Sequence, residues 1–267
     1  MAGTKSGADA VRRAATVQRA DARQRARRLA TAGRSARLLA AFRVEQTDPD
    51  RFYGELAKDS AAQVDAYAQL AGSTLLDVGG GPGYFADAFR AAGARYVPLD
   101  ADAGELRLHG RTPEPGTVLG DGMALPFRSG SIDICYSSNV LEHVPDPWRM
   151  ADEMVRVTRP GGMVFLSYTL WYGPWGGHET APWHFLGGDV AARRYARRNG
   201  HEPKNVYGES LFRVTAAQGI AWARSTPDAV VIAEAPRYLP SWASAVSHVP
   251  GLRELAMWNL LLVLRKR

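Results

Sequence analysis

One stretch constrains the fold more than any other: Thr74-Leu-Leu-Asp-Val-Gly-Gly-Gly-Pro-Gly-Tyr-Phe-Ala-Asp-Ala-Phe89, an apolar strand that runs through a glycine cluster into an amphipathic helix. Gly79, Gly80, Gly81 and Gly83 let the backbone turn sharply and approach a ligand, and the helix N-terminus beyond them offers free N–H groups and a partial positive charge. This is the local architecture of a site for a nucleoside-containing cofactor. The dinucleotide pattern Gly-x-Gly-x-x-Gly/Ala is broken, because the last small position, counted from Gly79, holds Tyr84. A P-loop is excluded as well, since no Gly-Lys-Ser/Thr follows the glycines.

What remains is Asp-x-Gly-x-Gly-x-Gly from Asp77 to Gly83, with an acid inside the turn. It resembles motif I of the class I S-adenosylmethionine (SAM) dependent methyltransferases. Arg95-Tyr-Val-Pro-Leu-Asp100 reads as a second strand ending in an acid, about twenty residues beyond Asp77, the spacing at which a carboxylate meets a ribose diol. Thr117 to Phe127 resembles the family segment that holds adenine, which assigns Asp121 to the exocyclic amine and the backbone of Gly122 and Met123 to the ring edge. Ser131 to Pro147 looks like the fourth strand and its following loop, placing Ser138 and Asn139 beside the cofactor, and Arg156 to Ser167 looks like the turn into the fifth.

The resemblance covers residues 74 to about 170 and implies a Rossmann-like α/β fold. Helices cover both faces of a seven-stranded sheet, with strand seven antiparallel between five and six. A helix is expected from Pro49 to Leu70, strand six from Ala229 to Glu234 and strand seven from Met257 to Leu264. With 267 residues and 46% hydrophobic content, the chain can bury one full core. The division expected is a basic arm over 1–45 and a methyltransferase domain over 46–267, with insertions at about 170–210 and 236–253. Cys135, the single cysteine, reads as a small buried hydrophobe. No apolar run approaches the roughly twenty residues of a spanning helix and no signal-peptide core is present, so a cytoplasmic location is the default expectation.

Charge is uneven. Residues 1–43 carry eleven Lys/Arg against two Asp, which leaves the remainder of the chain slightly acidic within a net charge of +6. Good helix formers fill the arm but apolar positions form a poor stripe before Leu29, and its first part is expected to be disordered. The arm suits an anionic partner, phospholipid headgroups or RNA, or else a solubilising tail that contacts nothing specific. Absence of aromatic residues before Phe42 argues against base stacking and favours the inner membrane surface.

The acceptor side is expected in the insertions. Trp171 to Gly188 places three tryptophans and two histidines in a glycine- and proline-rich loop, which suits a lid or an aromatic wall, or else a satellite hydrophobic cluster. An oxygen acceptor must lose a proton, and neutral imidazole suits that near pH 7. His143 is the first candidate base, since its loop resembles that of the ubiquinone-biosynthesis O-methyltransferases; His178 and His184 are alternates. Glu142, His143 and Asp146 lie close in sequence but carry no diagnostic metal spacing, and no metal is expected. The reading is SAM-dependent O-methylation of a sugar or lipid-linked glycan, with a quinone or small aromatic acceptor, or RNA, as alternatives. A non-catalytic SAM-fold scaffold is the competing class, and the intact set of acids argues against it.

Overall fold

The structure, a computed structural model, describes residues 3–45 and 47–267, with the side chains of 3–15 and of His109 outside the description. Seven strands form one sheet: β1 (Thr74–Val78), β2 (Arg95–Asp100), β3 (Val118–Leu119), β4 (Ile132–Ser138), β5 (Thr158–Thr169), β6 (Ala229–Pro236) and β7 (Asn259–Lys266). Their spatial order is β3-β2-β1-β4-β5-β7-β6. β1 to β5 run parallel, and β7 is antiparallel to both β5 and β6. The expected topology is therefore observed, with β6 extending two residues further and β7 starting two later than expected.

Strand alternation sorts the apolar residues onto two faces. Leu76, Cys135, Val164, Leu166, Leu262 and Leu264 pack on one face against helices α5 (Pro147–Val157) and α7 (Ala216–Ser225). Leu75, Ile134, Tyr136, Phe165 and Val263 pack on the other against α1 (Gly3–Leu29), α3 (Pro49–Tyr67) and α4 (Ala86–Ala91). Cys135 is fully buried, and burial raises its thiol pKa well above the ordinary value. Asp48 and Asp146 cap α3 and α5 by accepting from Arg51 N and Arg149 N, each 3.1 Å away, and a proline follows each cap as the first helical residue.

The basic segment departs from its expected form. It folds as α1 and, after Thr31, as α2 (Ala32–Phe42), which replaces the expected disorder at its start with helix. Helix-forming Ala and Arg explain the continuity, and tertiary contact explains the docking. Ala22 is buried with Ala61, Val64 and Tyr67. Arg23 donates to the carbonyl of Ile232, which lies where the register of β6 against β7 shifts, and Arg25 donates to Ala66 O at 3.0 Å. From Ala22 onward the segment is part of the folded body; the contacts of Lys5, Arg12 and Arg13 lie outside the described residues. No helix among the described residues is long and apolar enough to cross a membrane.

Candidate active site

β1 enters the glycine turn from the core, and the chain reverses with positive φ at Gly79 (81°) and Gly81 (51°). Gly79 N and Gly80 N donate to Leu99 O at 2.8 and 3.1 Å, while Gly81 N donates to Asp100 Oδ2 at 2.9 Å. Asp102 N donates to the other oxygen of Asp100 at 3.0 Å. An ionised carboxylate has about four acceptor directions, so Asp100 keeps capacity for a diol. A Cβ at Gly79 would meet Val140 Cγ2 at 2.4 Å, whereas one at Gly81 would meet nothing within 4 Å. The turn is thus packed behind Gly79 and open beside Gly81, and the open face of Gly81 with the spare acceptor capacity of Asp100 fits a nucleoside group such as that of SAM.

Asp77 is 2% exposed and accepts from the Tyr96 hydroxyl at 2.6 Å. Burial pushes its pKa up to about 7; the Asp100 charge adds to the rise, while the Tyr96 hydrogen bond and Arg237 oppose it. Asp121 caps the 3-10 turn Gly122–Ala124 by accepting from Met123 N at 2.8 Å, and Met123 O accepts from Arg149 Nε at 3.2 Å. Both backbone polar atoms of Met123 are therefore occupied within the chain. Gly122 packs tightly, since a Cβ there would lie 3.2 Å from Met150 Sδ and 3.3 Å from Val78.

Ser138 and Asn139 lie at the carboxyl end of β4, with their side chains committed inward. Ser138 Oγ accepts from Arg237 Nη1, and Asn139, at φ 56°, donates to Tyr238 Oη at 3.2 Å and accepts from Asn259 Nδ2 at 2.7 Å. Arg237 is buried among Ser60, Tyr136, Ser138 and Ser167 hydroxyls, and among the described residues no carboxylate is bonded to it. This cation was missed at the sequence level; its one signal is an arginine placed directly after an apolar strand.

The turn after β4 carries the imidazole cluster. Glu142 is 2% exposed, and its Oε1 accepts from Thr169 N at 3.0 Å. His143 Nδ1 lies 2.7 Å from Ser210 O, and Phe212 N donates to Glu142 O at 2.7 Å, so the segment following the lid docks on this turn. The rings of His143 and His178 meet edge-to-face with centroids 4.9 Å apart. Burial and the neighbouring His143 hold His178 down to about 4, and His178 sits at φ 48°. Glu142, His143 and His178 bring one donor atom each to within 4.8 Å of one another. His184 does not join them: it is buried edge-on to Trp171 and against Phe185. Asp146 is occupied as the α5 cap.

The tryptophans of the loop after β5 separate. Trp171 is buried against Tyr207 and His184, Trp175 spans Phe42 of α2 and Trp258, and Trp183 lies under Arg194, whose guanidinium carbon is 3.8 Å from the ring centroid. They form no single wall. Tyr84 of the glycine turn stacks on Tyr53 of α3 at 4.6 Å and carries Arg111 over its ring, so α3 covers the glycine turn. A surface cavity lined by Ser129, Asp152, Arg156, Pro160, Asp228 and Lys266 opens at the opposite ends of the strands and contains none of these groups.

Comparison with known proteins agrees with this geometry. A family model described as a methyltransferase domain matches residues 76–166. An uncharacterised methyltransferase of Mycolicibacterium gilvum is 56% identical over 247 residues, covering 88% of this chain and 95% of its own. Another, from Mycolicibacterium paratuberculosis, is 55% identical, covering 89% and 96%. Among solved structures, a chain of the complex between the Haloferax volcanii Trm112 methyltransferase activator and a methyltransferase is similar with a TM-score of 0.53 and 19% identity, covering 87% of this chain and 96% of that one. A SAM-dependent methyltransferase from Mesorhizobium loti has a TM-score of 0.51 and 19% identity, covering 80% and 98%. These two carry the fold, and the mycobacterial relatives carry the family. With a glycine turn closed on Asp100, β7 reversed between β5 and β6, and relatives matched along most of their length, the chain belongs to the class I SAM-dependent methyltransferases.

Proposed function

We propose that the reaction is O-methylation of a sugar or lipid-linked glycan hydroxyl. The observation that carries it is the bond from His143 to Ser210. A carbonyl oxygen only accepts, so Nδ1 bears the proton and Nε2 keeps its lone pair. SAM, held at the glycine turn and Asp100, would supply an activated methyl group, whose transfer to the acceptor oxygen would form the C–O bond, break the C–S bond and release a neutral thioether. The hydroxyl proton passes to His143 Nε2. The sulfonium is already a good leaving group, so positioning and exclusion of water are the protein's other contributions.

Polar His143 and His178 set over buried Glu142 suit a polyol better than a flat apolar ring, which favours the sugar over a quinone or small aromatic acceptor. Lipid linkage draws support from exposed Phe185, Leu186 and Val190 beside Arg193, Arg194, Arg197 and Arg198 on α6 (Gly188–Asn199), and from exposed Trp242, Val249, Leu252 and Leu255. Apolar side chains set among arginines suit the face of an anionic bilayer. RNA draws less support, because Arg23, Arg25, Arg34 and Arg37 of the arm are engaged within the chain.

The test is transfer from methyl-labelled SAM to lipid-linked glycans, free sugars, quinols and RNA by the full chain and by His143→Gln. Label in the glycan or sugar, with kcat lowered about 10²–10⁴-fold in the variant, is the expected result. Label appearing only in a quinol or in RNA overturns the acceptor assignment.

A further inference from the structure

We infer that Glu142, His143 and His178 bind one first-row divalent transition-metal ion. Three facts, independent of the cofactor set, support this site. The donor atoms of the three side chains lie within 4.8 Å of one another, a spacing that a single ion can bridge. Glu142 is 2% exposed, its Oε2 has no hydrogen-bond partner, and among the described residues it forms no ion pair. A buried carboxyl left in this state either holds a proton or meets a cation. His178 Nε2 is likewise buried without a partner, on a loop held at positive φ.

The outer partners have the arrangement metal ligands need. His143 is tied at Nδ1 by Ser210 O, which turns Nε2 into the donor, and Glu142 Oε1 is held by Thr169 N, which leaves Oε2 free. Hydrogen bonds of this kind set ring tautomer and carboxylate orientation in metal sites. Two imidazoles and one carboxylate form a mixed N/O set that suits Zn²⁺, Co²⁺, Mn²⁺ or Fe²⁺ rather than Mg²⁺ or Ca²⁺, which take oxygen ligands. Three protein ligands leave open positions. A sugar presenting two neighbouring hydroxyls fills them, which orients one oxygen toward the methyl group. His143 Nε2 serves one role at a time: it takes the hydroxyl proton in the metal-free chain, and with the ion on Nε2 the ion acidifies the bound hydroxyl, whose proton leaves to solvent. This role, unlike the binding itself, rests on the oxygen-acceptor reading above.

His143 and Glu142 belong to the turn after β4, whereas His178 arrives from the lid some thirty-five residues later in the chain. A bound ion would therefore tie the loop after β5 to the turn after β4.

The experiment uses the full chain, stripped with a chelator and titrated with Co²⁺ in the absence of acceptor, followed by the cobalt d–d absorption and by calorimetry. One equivalent is expected to bind with a low-coordinate visible band. Glu142→Gln, His143→Gln and His178→Gln should each weaken binding by about 100-fold or more, given that even outer-partner changes lower affinity about 10–100-fold. Zn²⁺ should displace Co²⁺ and raise the wild-type melting temperature, since a ligand of the native state stabilises it by mass action. A folded wild type that shows no band, or a band that survives in all three variants, overturns the site. The wild-type spectrum stands even where a variant does not fold. Failure here leaves methyl transfer measurable without metal, so it is distinguishable from failure of the acceptor assignment.

Discussion

Gly81 N donates to Asp100 Oδ2 at 2.9 Å, which ties the turn after β1 to the carboxyl end of β2. The carboxylate thereby shapes the glycine turn as well as offering acceptor capacity toward a ribose. Asp100→Ala should weaken SAM and S-adenosylhomocysteine binding by at least about tenfold, since a charge-assisted hydrogen bond contributes about 1.5–3 kcal/mol. Titration calorimetry of wild type and variant reads this directly, and equal affinities would remove Asp100 from the cofactor set.

Gly79 and Gly81 should respond differently to alanine. At Gly79 the new Cβ would lie 2.4 Å from Val140 and the residue would hold φ 81°, so Gly79→Ala should lose stability by about 2–4 kcal/mol. At Gly81 only the positive φ opposes alanine, at about 1–2 kcal/mol, while the methyl occupies the open cradle. Thermal melts should show the larger drop for Gly79→Ala, and calorimetry should show lost SAM binding by a still folded Gly81→Ala.

Buried Asp77 makes stability depend on pH in a particular direction. Its folded pKa is raised from 3.8 to about 7, so the native state holds a proton that the unfolded chain releases. This contribution is fully present below about pH 3.8 and is lost as pH rises to about 7. Asp77→Asn keeps an acceptor for Tyr96 without the charge. Relative to wild type it should be more stable at pH 8 than at pH 5, by up to a few kcal/mol, since each tenfold change in proton affinity is worth about 1.4 kcal/mol. Urea melts at the two pH values check this; an equal difference at both would show that Asp77 carries no raised pKa.

Arg34 and Asp59 join α2 to α3 through a buried two-point contact, Nε to Oδ1 at 2.5 Å and Nη2 to Oδ2 at 2.7 Å, and Arg34 also donates to Arg237 O at 3.1 Å. Removing one partner leaves the other charge buried, so Asp59→Ala should lose about 3–5 kcal/mol, more than the paired exchange Arg34→Met with Asp59→Leu. Truncation before residue 44 should destabilise the whole domain and leave it prone to aggregation, because Ala61, Val64 and Tyr67 lose part of their cover. Denaturant melts of the three proteins decide it. A truncated chain as stable as wild type would make residues 1–43 a dispensable tail.

The glycine turn was legible because its requirement is local: positive φ and close approach demand glycine whatever surrounds them. Asp100 was placed by its strand and is found at the carboxyl end of β2, bonded to Gly81 N, whereas Asp121, assigned only through the family resemblance, is found as a turn cap. Met123 shows the limit, since its backbone groups are consumed by Asp121 and Arg149, and only the folded turn reveals that. The basic arm misled because charge predicts solvation, whereas Arg23 and Arg34 find a strand carbonyl and an aspartate that lie 209 and 25 residues away along the chain.

By itself the sequence determined the strand–turn–helix around Asp77 to Gly83 and the alternation of strands and helices, because periodicity and backbone freedom are properties of neighbouring residues, whereas the reversal of β7 was expected only through the family resemblance. Tertiary structure alone decided which histidines meet: His143 and His178 are brought edge-to-face beside buried Glu142 while His184 turns away under Trp171. That choice depends on how the loop after β5 folds back onto the loop after β4, and packing between segments distant in the chain leaves no periodic trace in either one.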